Sequence, residues 1–129
     1  MRIRYASILT ILAVLAGAIW IVHPSCTPAR RNAEYAKHLK CVDEIKSVAR
    51  GLDEYKSRYG RYPELPTWIA LISADSPLVQ ENFIPSNFSE KDLWGQAYSA
   101  VVTRNSYHLR YEGNIRQSSQ FAPFELEAK

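Results

Sequence analysis

The stretch AEYAKHLKCVDEIKSVARGLDEYKSRYG, residues 33–60, decides the fold of this chain. Apolar side chains recur in it at spacings of three and four, which places them on one face of an α-helix. These side chains are Tyr35, Leu39, Val42, Ile45, Val48 or Ala49, Leu52, Tyr55 and Tyr59. Gly60 supplies a C-terminal stop, and Pro63 prevents the helix from continuing. The pattern predicts a long amphipathic helix over residues 30–59.

The chain that follows predicts one more helix and then a loop. Residues 68–73 form a short apolar run behind Pro66, with Thr67 in position to cap the helix that the run predicts. Residues 74–92 contain two prolines and are predicted to form an irregular loop.

Runs rich in Val and Tyr predict a small sheet in the last third of the chain. Residues 97–103 and 107–112 are expected to be strands joined by a turn at Arg104-Asn105, and a third strand is expected at 121–126. A long helix followed by such an antiparallel β-meander predicts an α+β fold, with the helix packed on one side of the sheet.

The chain begins with a basic and then an apolar segment. Arg2 and Arg4 precede residues 6–22, which hold only two polar side chains. A helix over this segment is about 25 Å long, the lower limit for crossing a hydrocarbon core of about 30 Å. It suits an uncleaved anchor that leaves the N-terminus in the cytoplasm, or a cleaved signal peptide. Arg30 and Arg31 on the far side run against the positive-inside rule.

We therefore divide the chain into an anchor or signal segment at 1–23, a juxtamembrane linker at 24–32, and one domain at 33–129. Both alternatives export the domain, and the anchor predicts a single-pass protein of the bacterial inner membrane whose domain faces the periplasm. The lipid bilayer is then one partner, and further protein partners in the envelope are expected.

Charge and reactive residues exclude several functions. Basic residues are interleaved with acids, so no nucleic-acid partner is expected. The three histidines stand apart without a second ligand at a metal-binding spacing, and no nucleophile or nucleotide motif is present. We expect no catalytic residue, no metal site, no cofactor and no enzymatic activity.

The two cysteines leave their redox state open. Continuous helix between Cys26 and Cys41 would separate them by about 22 Å, far beyond disulfide geometry. An intrachain bond therefore requires a turn at Pro28, and free thiols or an intermolecular bond are equally compatible with the sequence.

Two local motifs are expected to be architectural. In the first, the helix ends at Gly60 and the chain leaves through Tyr62 and Pro63. The second precedes the first strand and consists of Asp92, Trp94, Gly95 and Tyr98. Asp92 suits a tight turn, and Gly95 allows positive φ. A buried Trp94 would plug the gap between helix and sheet, and its truncation to alanine would cost about 3–5 kcal/mol.

In this order the two motifs resemble the major pseudopilin of bacterial type II secretion, a general secretion pathway protein G-like family. The resemblance covers residues 35–113. The matching positions are Tyr55-Lys56, Tyr59-Gly60-Arg61-Tyr62-Pro63, Leu71 and Asp92-Leu93-Trp94-Gly95-Gln96-Ala97-Tyr98. It implies a pilin-like fold and a non-enzymatic structural or interaction role in type II secretion or pilus-like assembly.

The chain departs from that family at its functional positions. The basic start is not followed by the processing glycine that opens the apolar helix in the family, and residues 6–22 contain no glutamate, so prepilin-peptidase cleavage is not expected. Leu93 replaces a proline, and residues 111–116 lack the aspartate that the family's calcium site uses. A pseudopilin-like, unprocessed envelope protein is therefore the first hypothesis, and a soluble periplasmic or secreted binding domain released by signal-peptide cleavage is the alternative.

Overall fold

A computed structural model describes residues 28–129, so the predicted segment 1–23, the first part of the 24–32 linker, and Cys26 lie outside the described residues. Within this range the predicted α+β fold is confirmed, because one long helix packs on a small three-stranded antiparallel sheet. Residues 33–129 form one compact unit. No helix within residues 28–129 is both long enough and apolar enough to cross a membrane.

The long helix, α1, runs from Pro28–Tyr59, close to the predicted range. It ends because Gly60 adopts a φ of +72°, a conformation that glycine reaches without a Cβ clash. The Gly60 N–H donates to the Lys56 carbonyl over 2.7 Å and closes the last turn. The helix end is therefore set by local sequence alone.

Within residues 28–129, the buried side chains of α1 lie in its middle. Its buried side chains are Cys41, Val42, Ile45, Val48, Ala49 and Leu52. Tyr35, Leu39 and Tyr59 remain 45%, 43% and 45% exposed, so the prediction of an apolar face packed along the whole helix is wrong at both ends. At the N-terminal end, the domain contacts α1 through Glu34 and His38 instead, which lie within hydrogen-bond distance of Trp94 and Tyr111.

Two short helices follow α1. Helix α2, Trp68–Ile72, agrees with the prediction, and the Thr67 Oγ1 accepts a hydrogen bond from Ala70 N as its cap. Helix α3, Pro77–Gln80, lies inside the segment that was predicted to be irregular. There Ser76 caps the helix and proline occupies its first turn, a start signal that the prediction overlooked.

The sheet is an antiparallel meander in the order β1, β2, β3. Its strands are β1 Ser99–Val102, β2 Tyr107–Tyr111 and β3 Phe124–Ala128. The first two lie within the predicted ranges, but β3 starts later because Ser119–Phe121 forms a 3-10 turn.

The inner face of the sheet packs on α1. The register places Ala100, Leu109 and Leu126 in one row across the three strands. Leu109, in the central strand, is fully buried, whereas Leu126 on β3 is half-buried. The core therefore thins toward β3.

Candidate functional site

The first motif anchors the C-terminal end of α1 to the hairpin between β1 and β2. Tyr62 is buried, its hydroxyl donates to Asp53 Oδ1 over 3.1 Å, and its ring makes an edge contact with Tyr107 at 5.2 Å. Its backbone N–H donates to the Arg104 carbonyl over 3.0 Å. Burial, and then the hydrogen bond to Asp53, raise the pKa of Tyr62 to about 12. Pro63 follows and is also buried.

The second motif begins with a closed turn. Asp92 is 7% exposed, and its Oδ1 accepts hydrogen bonds from Trp94 N at 2.9 Å and Gln96 N at 2.8 Å. Gly95 adopts a φ of +83° at the tip of the turn. The carboxylate thus holds the tight turn that the sequence predicted around Asp92.

Trp94 joins the N-terminal half of α1 to the sheet. Its indole Nε1 donates to Glu34 Oε2 over 2.9 Å, and its ring stacks on Tyr111 at 6.1 Å and packs near Phe121. Trp94 is half-buried rather than buried, because its partner Glu34 lies near the domain surface. Hydrogen bonds from Lys37 and then from Trp94 lower the pKa of Glu34.

Tyr98 fixes the middle of α1. Its hydroxyl donates to Glu44 Oε2 over 2.6 Å, and its ring lies 4.5 Å from that of Trp68. Burial, followed by contacts with Cys41 and Glu44, raises the pKa of Tyr98. Cys41 itself is fully buried as a free thiol.

The two motifs do not form one site. Their partners Glu34 and Asp53 are nineteen residues apart on α1, which corresponds to about 28 Å. The hydroxyls of Tyr62 and Tyr98 and the Oδ1 of Asp92 are used in hydrogen bonds inside the domain. Each motif therefore locks α1 to the sheet at a different place.

The described histidines lie in different surroundings. His38 is half-buried between Tyr111 and Phe121, and this burial lowers the pKa of its imidazole. His108 lies on the outer face of the sheet, with Nε2 3.5 Å from Glu125 Oε2. Residues 28–129 contain no group of three or more His, Cys, Asp or Glu that could hold a metal ion.

We predict that the domain is stable without calcium. Calcium prefers six to eight oxygen ligands, but the Oδ1 of Asp92 is occupied by two backbone N–H groups, and Arg116 adds a positive charge to the loop that follows β2. Melting curves in millimolar calcium and in chelator should coincide within a degree or two. A fall of many degrees in chelator would contradict this expectation.

The structure adds two surfaces that the sequence analysis did not single out. One is the exposed groove beside Leu39 on α1, to which Pro85 and Phe88 contribute. The other is the β3 edge, which we define as the side of Phe124–Ala128 that faces away from β2. The alternation of apolar and acidic residues in this strand is the sequence signal that could have indicated this surface.

Comparison with known proteins leaves the chain without an assigned family. No protein-family description, no characterised protein and no solved structure matches it. The pseudopilin pattern accordingly stands as a resemblance carried by the residues quoted above.

Proposed function

We propose that this chain is a non-enzymatic, pseudopilin-like protein of the bacterial inner membrane, with one N-terminal anchor and its α+β domain in the periplasm. There it acts as a structural or interaction component of a type II secretion or pilus-like assembly. The observation that carries the proposal is a 32-residue helix that packs on a small meander, has its buried side chains in its middle, and follows an apolar segment in the sequence.

Two exposed apolar side chains in the N-terminal half of α1 support an interaction role. Tyr35 and Leu39 are four residues apart, so they share a face of the helix, and both are more than two-fifths exposed. Leu39 also lines a groove with Ala36, Pro85 and Phe88, and charged side chains of α1 line the same groove. An exposed apolar surface of this kind is typical of contact with another protein.

The hydrogen bonds made by the polar side chains of the two motifs support a structural rather than an enzymatic role. Asp92 holds a turn, Tyr62 holds the end of α1, and Tyr98 holds its middle. These hydrogen bonds commit the polar groups of both motifs to packing.

A topology experiment tests the membrane part of the proposal. A reporter that is active only outside the cytoplasm, fused after Lys129, should be active because Arg2 and Arg4 precede a single apolar span. The same fusion without residues 1–23 should be inactive. A stable but inactive full-length fusion would contradict the topology, and an intact mass lacking residues 1–29 would favour the released binding domain instead.

Crosslinking in cells tests the assembly part. A photoreactive amino acid in place of Leu39 should form protein adducts several-fold more strongly than one in place of Glu54, which is exposed on the same helix but outside the groove. The reason is that an assembly contact would cover the apolar face first. Equal or absent adducts at the two positions would argue against this surface.

A further inference from the structure

We infer that the β3 edge is a docking site for an extended strand of a partner protein, in which basic and apolar residues alternate. The strand would add to the sheet as a fourth member. This inference rests on the sheet and the groove beside it, and it does not depend on the proposed function.

Residues 28–129 cover one edge of the sheet and leave the other open. Leu65 pairs with Val102 on the outer side of β1, through backbone hydrogen bonds of 3.0 and 3.1 Å. Strand β3 has no partner strand on its outer side within residues 28–129. An open edge presents unpaired backbone N–H and C=O groups, which a further strand can pair.

The apolar layer beneath the sheet is incomplete at β3. On β2 the inward side chains Tyr107, Leu109 and Tyr111 are buried, whereas the inward side chains of β3 are only half-buried. A groove beside Leu126 runs along α1, and it is lined by the charged residues Asp43, Lys46, Arg50 and Asp53 as well as by Ala49 and Tyr107. Apolar side chains of an added strand would cover the half-buried inward side chains of β3 at the edge of this groove.

The outer face of the sheet specifies the charge of the partner. Glu125 and Glu127 are exposed on β3, and the residues opposite them on β2 are Arg110 and His108. Arg110 lies 3.4 Å from Glu125. Since opposite charges stabilise directly paired positions, the free side of β3 favours basic residues at the same two positions.

The same charges disfavour a second copy of this chain. Two β3 strands paired antiparallel, with their apolar sides toward the cores, would place Glu125 and Glu127 of both copies side by side. Like charges at cross-strand positions are destabilising. The partner strand therefore belongs to a different sequence.

A peptide-binding experiment on the full chain in non-ionic detergent tests the inference. The probe is a fluorescent heptapeptide in which four lysines alternate with three valines, and its control has the same residues in two separate blocks. Fluorescence anisotropy should show binding of the alternating peptide at least tenfold tighter than that of the block peptide. Equal binding of the two peptides would overturn the inference, because charge alone would then explain the attraction. The absence of binding by the alternating peptide would overturn it as well.

Charge-swapped variants locate the site. The double variant Glu125→Lys/Glu127→Lys should lose at least tenfold in affinity for the lysine peptide and gain affinity for a glutamate–valine peptide. Glu64→Lys/Glu90→Lys changes the same charge at exposed positions outside the β3 edge and should bind like the parent. Glu125→Gln/Glu127→Gln repeats the first comparison with a smaller change, should the lysine variant fail to fold.

Two results on these variants would overturn the inference. One is unchanged binding by the folded glutamine variant. The other is a dimer of the parent chain that is lost in the charge-swapped variant, because the β3 edge would then hold a second copy.

Discussion

Replacement of Gly113 by alanine is expected to destabilise the domain by about 3–5 kcal/mol. Gly113 has a φ of +70°, where a side chain costs about 1–2 kcal/mol. An added Cβ would also lie 2.2 Å from the Phe121 carbonyl oxygen and 2.7 Å from the Ala122 carbonyl carbon. These are backbone atoms, so the crowding cannot be relieved by a change of rotamer.

Gly95→Ala is the matched control for this prediction. Gly95 has a φ of +83°, but an added Cβ there would meet no atom within 4 Å. The Gly95→Ala substitution should therefore lower the free energy of unfolding only by the cost of a side chain at positive φ, about 1–2 kcal/mol. Urea unfolding of the full chain in non-ionic detergent, followed by circular dichroism, gives both values. Equal losses in the two variants would show that the contact between Gly113 and the chain before β3 is not tight.

Trp68→Ala is expected to cost a similar amount, about 3–5 kcal/mol, because it empties a large part of the core. Trp68 is 2% exposed, and its ring lies 4.5 Å from that of Tyr98 and 6.4 Å from that of Phe88. Its Nε1 also donates to the Ser89 carbonyl over 2.9 Å, which the alanine variant leaves unpaired. Such a loss is a large share of the 5–15 kcal/mol typical of a domain.

Trp94→Ala serves as the comparison on the same domain. Trp94 is half-buried, so its truncation should cost about 2 kcal/mol rather than the larger value expected from sequence. The midpoints of urea unfolding should fall in the order parent, Trp94→Ala, Trp68→Ala. A reversed order would mean that the indole hydrogen bond to Glu34 contributes more than the burial of Trp68.

Local features of this chain were predictable because they depend on neighbours in the sequence. Gly60 ends α1, Thr67 caps α2, and Arg104-Asn105 turns the hairpin, each through contacts within a few residues. The alternation in β3 was also present in the sequence, although the 3-10 turn at Ser119–Phe121 moved its start.

The face of α1 that meets the sheet required the tertiary structure. Periodicity assigned Tyr35 and Leu39 to the packed face, yet the helix contacts the sheet there through Glu34 and His38. The reason is that Trp94 and Tyr111 offer an indole N–H and a hydroxyl at this level, and these pair with polar side chains rather than with apolar ones. The periodicity of a helix does not reveal whether the groups packed against it are polar or apolar.

By itself, the sequence determined the α+β class, the extent of α1 and the order of the strands, since each follows from hydrophobic periodicity and turn chemistry. The tertiary structure alone decided which sheet edge residues 28–129 leave open and how far apart the two motifs lie. The physical reason is that these properties depend on the length of α1 relative to the strands and on where residues 62–65 return to pair with β1.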